Sequence, residues 1–160
     1  MSKRIPGTHI LLREEYACKH CGALPPAFYD EEFELGLEYQ VLFRAFEFIR
    51  EGRGGKALAV NSGYRCLKHE QAMYDAWVKG GKKGAPKAFT SVHLFGLALD
   101  LQATSKADQM GIVELARLVK PAPRIGWKQY RDAGSLLVHI DYGYLISPIY
   151  SKDLDRGVEF

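Results

Sequence analysis

The chain has 160 residues, 47% hydrophobic and 26% charged, with a formal net charge of +3. That length and balance predict one globular domain, 1–160, able to bury a core without staples. They argue against a membrane span, since no run of about 18 apolar residues occurs. They also argue against nucleic-acid binding, since Lys and Arg form no dense stripe. The mild positive charge suits an anionic polymer as partner.

The chain starts with Lys3 and Arg4, but no apolar stretch long enough for a secretory signal follows, so synthesis and retention in a cytoplasm are expected. Three cysteines, Cys18, Cys21 and Cys66, are an odd number and suggest no disulfide framework. Residues 10–29 read as a turn-rich segment. Asp30 is a candidate cap for a long helix whose apolar face is Phe33, Leu37, Val41, Leu42, Ala45, Phe46 and Ile49, and the glycines at 52–55 end it. Residues 57–60 read as a buried strand leading into Asn61-Ser62-Gly63-Tyr64-Arg65. Residues 67–79 read as a helix with Met73, Tyr74 and Trp77 on its apolar face, and 79–87 as a basic loop.

Further strands are predicted at 97–101, 124–127 and 136–141, the last two joined by a polar turn. Between the first two lies a helix at 105–120, with Ser105 as cap and prolines at 121 and 123 as stops. The core spans about 10–145, and 146–160 is a loop and tail. This order gives an α+β domain: a small, mainly antiparallel sheet with flanking helices.

Two segments carry chemistry. In 97–101, alternation puts Ala98 and Asp100 on one face and three leucines on the other. A buried Asp needs a partner: a salt bridge is one solution and a metal another. In 136–141, Leu137, His139 and Asp141 share a face. Asp141 could orient His139 from behind, or act as a general base. His93 stands before Gly96, where a sharp bend would swing it toward Asp100. His93, Asp100 and His139 together make an open three-ligand set of the kind a catalytic zinc uses.

Ser62-Gly63-Tyr64-Arg65, Ser91-x-His93-x-x-Gly96-x-Ala98-x-Asp100 and Val138-His139-x-Asp141 resemble, in order, the motifs of the zinc D-alanyl-D-alanine carboxypeptidases and L-alanyl-D-glutamate endopeptidases. That superfamily includes phage endolysins and the hedgehog signalling domain. Ala17-Cys18-Lys19-His20-Cys21 is similar to the N-terminal segment of phage-type members. The resemblance implies a hedgehog/DD-peptidase-like fold, Zn²⁺ held by His93, Asp100 and His139, and a peptidoglycan peptide as substrate. It implies that Arg65 holds a substrate carboxylate or carbonyl and stabilises developing charge. It implies a phage or prophage enzyme, favoured as a monomer, that reaches the wall after release or rides in the virion.

One position departs from the pattern. Many relatives carry an acid three residues before the last His; here it is Leu136, so Asp141 becomes the candidate base and Asp132 the second. This keeps open a non-catalytic, zinc-containing wall-binding or virion structural module. Ser91 reads as a hydrogen-bonding group near the ligands. His69 reads as lining the cleft or as a solvated helix-end residue. The 79–87 loop reads as a cleft rim or as plain solvated chain. Cys18-x-x-Cys21 around His20 would need two more ligands to hold a second zinc, from His9 or Cys66; reduced thiols are the favoured reading.

Overall fold

A computed structural model describes residues 3–28, 35–81, 90–147 and 150. Four strands, β1 (Ala59–Ser62), β2 (Ala98–Gln102), β3 (Arg124–Gly126) and β4 (Leu137–Asp141), form one antiparallel sheet in the order β1-β2-β4-β3. Among the described residues four α-helices accompany it: α1 (Leu37–Gly52), α2 (Leu67–Lys79), α3 (Lys106–Leu118) and the short α4 (Lys128–Asp132). The architecture is the α+β class with a small antiparallel sheet that the sequence predicts. No helix among the described residues is long and apolar enough to cross a membrane.

The period-2 pattern of the central strands divides the sheet into two faces. Leu99, Leu101, Val138 and Ile140 are fully buried and pack with Phe46 and Ile49 of α1 and Ile112, Val113 and Ala116 of α3. Each such side chain contributes about 1.5–3 kcal/mol. The opposite face carries Asp100 and His139, which the β2–β4 register sets directly opposite each other.

Several boundaries differ from the sequence expectation. α1 starts at Leu37 after an extended Gly36, and Leu37 is exposed, so the face begins at Val41 and Leu42. Asp30 and Phe33 lie outside the described residues. β1 is shifted to end at Ser62, with a register irregularity between Val60 and Ser62 that brings Ser62 opposite Asp100. α2 has the predicted span, but Met73 is exposed and Glu70 is its one buried residue, so 73, 74 and 77 are not a core face. α3 begins as expected, with Ser105 Oγ accepting the Asp108 N–H. The predicted polar turn between β3 and β4 contains α4, where Arg131 stacks over the Trp127 ring. Most of the basic 79–87 loop and of the 146–160 tail lies outside the described residues; Tyr150 is buried and donates to the Thr90 carbonyl.

The N-terminal segment is part of the body. Tyr16 ends a turn at Leu12–Tyr16, is fully buried, and donates from its hydroxyl to the Gly96 carbonyl at 2.6 Å. Its own carbonyl accepts the Tyr64 N–H at 2.7 Å. Tyr16 therefore binds the two loops that carry the His93 and Arg65 motifs. Both loops need glycine there. A Cβ on Gly63 would lie 2.4 Å from the Tyr16 ring, and one on Gly96 would lie 2.5 Å from its hydroxyl. Gly96 also has φ of +71°, the left-handed region. Gly96→Ala is expected to destabilise the fold by about 2–4 kcal/mol, combining backbone strain and overpacking; urea unfolding measures it.

Candidate metal centre

His93 sits in a short 3-10 turn, Val92–Phe95, that Gly96 terminates. Its Nδ1–H donates to the Gly63 carbonyl at 2.5 Å. A carbonyl can only accept, so this bond leaves Nε2 as the lone-pair nitrogen, turned toward Asp100 and His139. The three side chains converge: His93 Nε2 is 3.3 Å from His139 Nδ1 and 3.4 Å from Asp100 Oδ1, and His139 Nδ1 is 2.8 Å from that oxygen. All three residues are buried. A tetrahedral zinc with ligand bonds of about 2.0–2.1 Å has ligand-to-ligand edges of about 3.3 Å. Two observed edges match, and the third is a hydrogen bond that a metal would replace. The donor set and its spacing therefore fit a metal ion.

Behind the ligands stands a layer of charge. Asp141 accepts from His139 Nε2 at 3.0 Å, from Arg124 Nε and Nη2 at 2.8 Å each, and from the Gly143 N–H at 2.9 Å. It is fully buried. This fixes His139 with Nδ1 inward, as a carboxylate behind a ligating histidine does. Asp141 was also a candidate general base, and its placement corrects that expectation: it faces the far side of the imidazole, with both oxygens held by Arg124. Asp132 is exposed and pairs with its neighbour Arg131, so it is not brought to the site. Leu136 packs against the core.

Arg65 donates from Nε to Ser62 Oγ at 2.8 Å, from Nη1 to Glu70 Oε1 at 3.1 Å, and from Nη2 to Asp100 Oδ2. Asp100 thus meets the ligand imidazoles with one oxygen and a guanidinium with the other. Ser91 Oγ donates to Glu70 Oε1 at 3.0 Å, which places Ser91 near the ligands through Glu70. His69, a candidate for the cleft, turns instead toward Cys18, with Nδ1 3.4 Å from its sulfur. Cys18, Cys21 and Cys66 come together, whereas His9 pairs with Glu47 elsewhere.

Three participants carry no motif in the sequence: Glu70, Arg124 and Tyr130. The Tyr130 phenol, on α4, is held neutral by burial and by the nearby Asp100 charge, against the opposing pull of Arg65. An acid at the fourth position of α2, five residues after Arg65, was the available signal for Glu70. A surface groove lies elsewhere, between α1 and the turn at Pro6, Gly7 and Thr8.

Protonation follows from the same contacts. Burial disfavours the charged form of His139, but its bonds to Asp100 and Asp141 outweigh this and push it up to about 9. Burial also opposes ionisation of Asp141, yet His139 and Arg124 bring it down to about 2. Burial keeps His93 below its ordinary value. The metal-free protein therefore holds His139 as an imidazolium, with a proton on Nδ1 where a metal would sit.

A histidine with a raised folded value contributes stability that is complete below its unfolded value, about 6.5, and that fades as pH rises toward 9. NMR titration of the metal-free chain is expected to show the His139 imidazole losing its proton near pH 9; the Tm does not isolate this, because Cys18, drawn down to about 6, gains stability over the same range. With metal bound the Nδ1 proton is displaced, and this titration is expected to vanish. Asp141→Asn is expected to weaken metal affinity by about 10–100-fold, as losses behind a ligating histidine do; competition against a chromophoric chelator measures it.

No protein-family model and no curated protein matches the chain.

Proposed function

We propose that this chain is a zinc metallopeptidase that hydrolyses peptidoglycan stem-peptide bonds, either at a D-Ala–D-Ala terminus or between L-Ala and D-Glu. The observation that carries this reading is the convergence of His93, Asp100 and His139 on one face of the sheet, backed by Asp141 and flanked by Arg65. Three protein ligands leave a coordination position open, which distinguishes a catalytic zinc from a structural one. When bound, zinc supplies Lewis acidity, bringing the pKa of a water to roughly 7 and polarising a carbonyl.

The chain's own residues supply the rest. His93 and His139 are held in their ligating tautomers by the Gly63 carbonyl and by Asp141. The three bonds of Arg65 use three of its five N–H donors, so one on each terminal nitrogen remains to meet a substrate carboxylate or carbonyl. Among the described residues the buried acids are Glu70, Asp100 and Asp141. Asp100 ligates and Asp141 lies behind a ligand, so Glu70 is assigned the proton-carrying role. Tyr130, a neutral phenol near enough to feel the Asp100 charge, is proposed as a donor toward developing negative charge.

Charge also favours an anionic peptide. In the metal-free site Asp100, Asp141 and Glu70 balance Arg65, Arg124 and protonated His139. Exchange of the His139 proton for a divalent ion leaves one positive charge in excess, which a peptide carboxylate would offset. The mildly basic chain suits the anionic wall for the same reason. A phage-borne enzyme, made in the cytoplasm and reaching the wall once the membrane is breached, fits this reading.

The test is hydrolysis of purified stem peptides by the zinc-loaded protein. Cleavage is expected, with loss on chelation and recovery on adding zinc, and His93→Ala is expected to be inactive. Zinc held at this site without cleavage of any stem peptide would favour a wall-binding module instead. Glu70→Gln is expected to lower kcat by about 100-fold or more while leaving zinc at this site bound; an unchanged kcat would remove Glu70 as proton carrier.

A further inference from the structure

We propose that Cys18, Cys21, Cys66 and His69 hold a second zinc ion, a structural one, independent of the site formed by His93, Asp100 and His139. The four residues form two pairs with the same spacing, Cys-x-x-Cys at 18 and 21 and Cys-x-x-His at 66 and 69. Such pairs, brought together from distant parts of a chain, are the ligand pattern of closed zinc sites. The structure brings the three cysteines together and sets His69 beside Cys18. The three sulfurs lie within 4.8 Å of one another, and none is in a disulfide. His69 Nδ1 is 3.4 Å from Cys18 Sγ. A tetrahedral zinc with sulfur bonds of about 2.3 Å and a nitrogen bond of about 2.0–2.1 Å has sulfur–nitrogen edges near 3.6 Å and sulfur–sulfur edges near 3.8 Å.

A backbone amide faces one of the sulfurs: Cys18 Sγ accepts the Cys66 N–H at 3.3 Å. An amide turned toward sulfur favours the charged form that binds metal. The turn after Cys18 closes with the Gly22 N–H on the Cys18 carbonyl at 2.7 Å, and Gly22 has φ of +70°, so the two cysteines fold back onto one side. On the other pair, Cys66 caps α2 and His69 stands in its first turn, on the same side of the helix.

Four protein ligands close the coordination sphere, which fits a structural and not a catalytic ion. Its place gives it a purpose. α2 is exposed along most of its length and contributes one buried residue, Glu70. Arg65 immediately precedes Cys66, and Glu70 immediately follows His69. An ion at this point would tie the segment bearing Arg65 and Glu70 to the N-terminal turn, where packing alone supplies little.

The experiment is metal analysis of the purified full chain, with cobalt(II) as a spectroscopic substitute. Two zinc equivalents per chain are expected, and cobalt loading is expected to give thiolate-to-cobalt charge-transfer absorption with intense tetrahedral bands. Cys21→Ser, at an exposed position, should reduce zinc from two equivalents to one and abolish the charge-transfer band. A His93→Ala, His139→Ala double variant should also fall to one equivalent but keep that band. Titration of the unmodified protein with an organomercurial should release one zinc as three thiols react. One zinc in the unmodified protein, with no thiolate band and three freely reactive thiols or a disulfide, would overturn the proposal while leaving the His93 site intact. Loss of the His93 site alone would leave the thiolate band in place, so the two assignments fail separately.

Discussion

A carboxylate buried in the middle of a leucine-rich strand has to be compensated, and most of this molecule's polar architecture answers that demand. Asp100 is 2% exposed, and Leu99 and Leu101 on either side are fully buried on the opposite face. An isolated charge there would cost far more than the strand's apolar burial contributes. Compensation arrives from three directions: His139 by strand register, His93 by a glycine-ended turn, and Arg65 from the loop beyond β1. Each of those groups is then held by a further partner. Asp141 holds His139, the Gly63 carbonyl holds His93, and Ser62 with Glu70 holds Arg65. A polar network so fully paired is rigid, and rigidity at ligand atoms is what selective metal binding requires.

The arrangement is also bistable in composition. Without metal, the proton on His139 Nδ1 takes the cationic place between Asp100 and the imidazoles. The ligands therefore keep their positions, because a cation is already there, one charge short of a divalent ion. Metal binding then becomes an exchange of cations within a preformed cage, with proton release as its cost.

Much of this was legible in the sequence, and the failures have physical causes. The strands at 98–102 and 137–141 were readable because apolar alternation is strong in both, and the ligand trio was readable because it lies on those strands and on the turn before one of them. The direction in which Asp141 faces was not. It depends on Arg124, seventeen residues away and brought alongside by the β3–β4 pairing, and no local pattern announces that pairing. Glu70 was missed because an acid in the first turn of an exposed helix looks like a favourable dipole contact; only the position of Arg65 shows otherwise. The predicted apolar face of α2 differs because, among the described residues, Met73 is exposed and Tyr74 and Trp77 are only half-buried. The signal at His69 lies in its pairing: its spacing from Cys66 repeats that of Cys21 from Cys18.

The insertion of Tyr16 between the loops that carry His93 and Arg65 has a consequence for modularity. Residues early in the chain serve as a wall of the centre, through the Tyr16 hydroxyl on Gly96 and the Tyr16 carbonyl on Tyr64. The sheet with its three ligands is thus not a transferable cassette. Moving residues 59–141 into another scaffold would carry every ligand and leave behind the residue that bonds the His93 turn to the loop carrying Arg65. The minimal heritable unit of this site begins before its first ligand, at the N-terminal turn, and recombination between distant relatives would be tolerated only where that turn travels with the loops it separates.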